Sequence, residues 1–177
     1  MASYLSDVLN LAKSTVAATE PVWEWGGFTD ETDATPHVYL EGLPIPQDSY
    51  TAEKLNALRP FVLIFPSDEQ TFSISRDGAG RGPKGSGLIE MIFSRSIVGL
   101  GDKLSPGEML AKITELASNI AWTGDDNNRG LMDWGDTAGK LHIQNIDVVL
   151  IGRTPREEVN GWGDAWDFML RCSWGRR

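Results

Sequence analysis

Five bulky or apolar side chains take every second position near the end of the chain: Trp166, Phe168, Leu170, Cys172 and Trp174. Asp167, Met169, Arg171 and Ser173 fill the places between them. A period of two puts one set on one side of an extended backbone and the other set on the opposite side. On a helix the same residues would scatter around the axis and bury nothing together. The chain therefore needs a sheet with one heavily covered face, and something apolar must lie on that face.

Other segments supply the rest of such a sheet. Arg59–Pro66 is a nearly continuous apolar run, the pattern of a strand covered on both sides. Gln70–Arg76 alternates, with Phe72 and Ile74 on one side. Leu88–Val98 sets Ile89, Met91, Phe93 and Ile97 against Leu88, Ile92 and Val98. Leu141–Ile151 places Ile146, Val148 and Leu150 together. Between the second and third of these lies Asp77–Gly87, which holds five glycines and reads as a flexible hairpin loop over 77–87.

Two segments have helical spacing instead. Leu5, Val8, Leu9, Ala12 and Val16 form one stripe, with Ser3 or Ser6 as a cap and Pro21 at its end. Ser105-Pro106-Gly107-Glu108 is a capping box with proline at the first helical position. Leu110, Ile113, Leu116 or Ala117, and Ile120 follow it, up to Trp122 and Gly124. Residues 20–58 carry Pro21, Pro36, Pro44 and Pro46 among glycines and acids, and read as an extended arm with one short strand at His37–Leu40. The expectation is a single α+β domain over 1–177: a mainly antiparallel sheet with two helices on one face, a long N-terminal arm and a Gly-rich hairpin loop. A domain of this length buries roughly 70% of its unfolded surface, so it needs no disulfides. Cys172 is the only cysteine, so no intrachain bridge can form.

The motifs that would carry chemistry fail on detail. Gly78–Ser86 looks like a phosphate loop, but Pro83 removes an amide, Gly85 separates Lys84 from Ser86, and no helix follows. Asp125–Gly130 approaches a calcium loop, but Arg129 stands where an oxygen ligand is needed and Asp136 replaces the bidentate glutamate. Asp136-Thr137-Ala138-Gly139 lacks the glycine that an aspartic-protease signature has after threonine. His37 and His142 do not by themselves make a zinc site, and Cys172 falls on the apolar side of a strand, where a buried structural thiol is expected. The reading is a non-enzyme with no catalytic residue, no cofactor and no metal. A net charge of −9 argues against a nucleic-acid-coating role. No stretch reaches the ~18 apolar residues of a membrane span, and the N-terminus lacks a signal-peptide pattern.

The seven tryptophans point elsewhere. Trp23, Trp25, Trp134 and Trp162 lie in Gly- or Asp-rich stretches, and tryptophan is enriched at protein interfaces. Arg76, Arg81 and Lys84 put basic charge at the hairpin loop of an acidic protein, suited to an acidic partner face. These seven residues are the candidate interface.

The order of elements resembles the tail terminator and neck proteins of long-tailed bacteriophages. The matching parts are the N-terminal helix, the strand pair of Arg59–Val98 with its long loop, the capped helix Ser105–Trp122, and the closing strand Trp166–Trp174. The likeness is one of layout over most of the chain except the arm. It implies a homo-oligomeric ring, commonly a hexamer, that caps the tail tube and joins it to the head. Its partners would be copies of itself, the tail tube protein and neck or connector proteins. DNA would pass through an acidic lumen without specific binding. The protein would sit in the virion, assembled in the host cytoplasm. A tail tube subunit, a head–tail adaptor or a small cytosolic enzyme are the alternatives.

Overall fold

The computed structural model describes residues 3–73, 84–96, 141–150 and 165–176, together with positions 111, 114, 115, 117 and 118. Chain order begins with helices α1 (Ser3–Ala18), α2 (Glu20–Gly26) and α3 (Glu31–Ala34), then strand β1 (Val38–Leu40) and helix α4 (Ala52–Leu58). Strands β2 (Phe61–Ser73), β3 (Lys84–Ser96), β4 (Leu141–Leu150) and β5 (Ala165–Arg176) follow. The fold is α+β. The sheet runs β1-β2-β3-β5-β4, antiparallel throughout except for the parallel β1–β2 pair. It is thus mixed and not purely antiparallel.

The alternation at the end of the chain does what its period requires. Phe168, Leu170, Cys172 and Trp174 are fully buried, while Met169, Arg171 and Ser173 are half-buried. Ile89, Met91 and Phe93 of β3 behave in the same way. The register joins them into rows across the sheet: Val62, Phe93 and Phe168 in one, Ile64, Met91 and Leu170 in the next. Helix α1 lays Val8, Leu9, Ala12 and Val16 into the same cluster, with Leu5 partly buried beside them. Burying each such side chain contributes about 1.5–3 kcal/mol before the entropy of ordering is counted. Of the second expected helix, positions 111, 114, 115, 117 and 118 are helical. Ala117 joins the main core and the other four are exposed. The ends of that helix lie outside the described residues.

Two boundaries differ from expectation. The runs that begin at Arg59 and Gln70 are not two strands: the single strand β2, Phe61–Ser73, takes in residues of both, with a register shift between Pro66 and Gln70. Proline is tolerated there for a geometric reason. The Ile64 carbonyl accepts from the Glu41 amide at 2.7 Å, so Ile64 faces the β1 side, and Pro66 faces the same way. The β1 pairing ends at Leu40–Ile64, so no β1 residue is paired opposite the nitrogen that lacks a proton. The loop expected over 77–87 is shorter at its C-terminal end, because β3 starts at Lys84 and pairs with Ser73. Residues 74–83 lie outside the described residues.

The largest correction concerns residues 20–58, read from the sequence as an extended arm. The short strand is present, but helices α2, α3 and α4 surround it. Pro21 does not simply end α1; it stands in the first turn of α2, where its missing N–H costs nothing. Asp30 caps α3 by accepting from the Asp33 amide at 3.0 Å, and Thr51 caps α4 by accepting from Lys54 at 3.3 Å. Helix α2 ends in a Schellman turn. The Phe28 amide reaches the Trp23 carbonyl at 2.8 Å, the Gly27 amide reaches Glu24 at 3.4 Å, and Gly27 sits at φ 73°. Among the described residues no helix is long and apolar enough to cross a membrane.

Gly27 has open space where a Cβ would go, so the conformation alone demands glycine. Gly27→Ala is expected to lower stability by about 1–2 kcal/mol. Equilibrium denaturation measures it, and an unchanged midpoint would contradict the left-handed cap.

Candidate interaction surface

The two faces of the sheet are unlike. The inner face is the core just described. Its densest part is aromatic: the Phe93 and Phe168 rings stack with centroids 4.8 Å apart, and Trp25 meets them edge-on at 5.3 and 6.3 Å. Such pairs add about 0.5–1.5 kcal/mol beyond the area they bury. Arg95 donates to the Trp25 carbonyl, which fixes the C-terminal end of α2 over the sheet. A cation suits that end, where backbone carbonyls run out of partners. Partial burial lowers the pKa of the Arg95 guanidinium from its ordinary value, and it remains a cation at any physiological pH.

The outer face is only half-covered. Tyr39, Leu63, Ile92 and Met169 are paired in one row across β1, β2, β3 and β5, and all four are half-buried. The next row holds Phe65, Glu90, Arg171 and Asp147. One carboxylate oxygen of Glu90 accepts from Nε of Arg171 at 3.0 Å and lies 2.9 Å from Nη2 in the same ion pair. The Arg171 side chain is 41% exposed and that of Glu90 15%. A pair this wet contributes little to stability, roughly 0.2–1 kcal/mol. It does mark the register, because a slip of one residue would turn Glu90 and Arg171 toward the apolar core. Leu55 and Phe61 are buried outside the main core cluster, and Arg59 Nε donates to the buried Ser94 hydroxyl at 2.7 Å.

Of the residues proposed from sequence, Trp23, Trp25 and Lys84 fall among the described residues. Trp25 is core, 5% exposed, and so cannot be an interface anchor; the Gly26-Gly27 turn after it ends a helix that packs inward. Trp23 is half-buried and donates its indole N–H to the Ala17 carbonyl at 2.6 Å. Lys84 begins β3 opposite Ser73. Arg76, Arg81, Trp134 and Trp162 lie outside the described residues. Sequence reading missed the outer-face row, although its signal was present. Leu63, Ile92 and Met169 are the large apolar residues left over once the inner set of each strand is assigned.

The remaining chemistry-bearing groups have structural surroundings. His37 donates from Nδ1 to the Pro60 carbonyl at 2.9 Å, and its ring lies 4.9 Å from that of Phe28. Cys172 is fully buried. Burial, with a smaller push from Asp147, raises its thiol to about 12. Among the described residues no three His, Cys, Asp or Glu side chains gather as a metal site.

No protein-family model and no curated protein matches the sequence. Seven solved chains match it. One of them, whose name states no function, aligns over 95% of this chain and 94% of its own at 13% identity and a TM-score of 0.42. A superposition that loose transfers neither fold nor activity.

Two outcomes are expected. Trp25→Ala should cost about 3–5 kcal/mol and Trp23→Ala clearly less, by chemical denaturation; equal costs would contradict the core placement of Trp25. Cys172 should stay unlabelled by a disulfide reagent at pH 8 until the protein is unfolded. Its folded pKa lies above the unfolded value, so the neutral thiol's contribution is complete below the unfolded pKa. It declines as pH rises from about 9 toward 12. A Cys172→Ala variant should lack that part of the alkaline loss in a melting series.

Proposed function

We propose that this chain is a structural assembly protein that works by contacting copies of itself and other proteins, in the manner of a phage tail terminator. The carrying observation is the outer face of the sheet, where Tyr39, Leu63, Ile92 and Met169 are incompletely buried beside the Glu90–Arg171 pair. Contiguous exposed apolar rows rimmed by polar groups are a mark of protein contact sites. The reading assigns this face to a neighbouring copy, so that subunits close into a ring, commonly of six. Two helices on the inner face would form its rigid body, and the Gly-rich β2–β3 connection with Arg76 and Arg81, together with Lys84 at the start of β3, would reach toward the tail tube or neck.

Several features support the reading. The layout keeps the N-terminal helix, the long β2–β3 hairpin and the closing strand that carry the resemblance. A net charge of −9 suits a lumen through which DNA passes without sticking. Trp23, Trp134 and Trp162 remain candidate contacts with neighbours. The site of action would be the virion tail or neck, with assembly in the host cytoplasm, no cofactor and no catalytic step.

The test is a charge placed in the outer row. Met169→Lys and Ile92→Lys should shift sedimentation velocity profiles toward the monomer by tenfold or more in dissociation constant, equivalent to about 1.4 kcal/mol. Far-ultraviolet circular dichroism should stay native, and the milder Met169→Ser serves as a control for folding. Variants that fold natively and assemble as the parent does would overturn the assignment of this face.

A further inference from the structure

We draw no further inference here: the strongest candidate, the charged row Glu90–Arg171–Asp147 crossing the outer face of the sheet, belongs to the surface already assigned to assembly, and nothing in the structure shows what chemistry covers it.

Discussion

The pairing of β3 with β5 is the constraint on which the rest of the structure depends. It joins residues about eighty positions apart, from Ser86 against Gly175 to Ser96 against Ala165. Closing so long a span costs entropy that only a large buried surface can offset. The two strands supply it together: Ile89, Met91 and Phe93 from one, Phe168, Leu170, Cys172 and Trp174 from the other. Once that ladder is in register, β2 and β4 have defined edges to join, and α1 and α2 have a surface to cover. A slip by one residue would exchange the apolar inner set for Glu90, Arg171 and Ser173, so the register is strongly specified.

This explains how much could be read from the residues alone. Strands with a strict period of two, and α1 with its stripe of Val8, Leu9, Ala12 and Val16, carry their own instructions. Residues 20–58 do not, because helices of four to seven residues are too short for a stripe to develop. Their signals were caps: Asp30, Thr51 and the Gly26-Gly27 pair. Pro21 and Pro36, which read as breakers, stand in the first turns of α2 and of the short 3-10 turn Thr35–His37, where they do no harm. Trp25 was misplaced for a related reason. Its Gly-rich neighbourhood has the composition of a loop, yet the glycines terminate a helix whose tryptophan turns inward to Phe93 and Phe168.

The functional reading follows from asymmetry between the faces. One face is saturated by helices and aromatic rings, and the other keeps large apolar side chains within reach of solvent. A chain with −9 net charge can hold such a row and stay soluble. The half-exposed Glu90–Arg171 pair gives that row a polar border with fixed geometry, which favours a defined neighbour over indiscriminate sticking. Under the proposal, a contact that joined this face to a different face of a neighbouring copy would close into a ring if the rotation between copies permitted.

Molar mass by light scattering across a concentration series, with negative-stain imaging of the eluted peak, tests the central claim most directly. Self-assembly through the outer face predicts a mass several times 19.5 kDa and closed rings in the images. A monomer at every concentration, with no ring in the images, would contradict it.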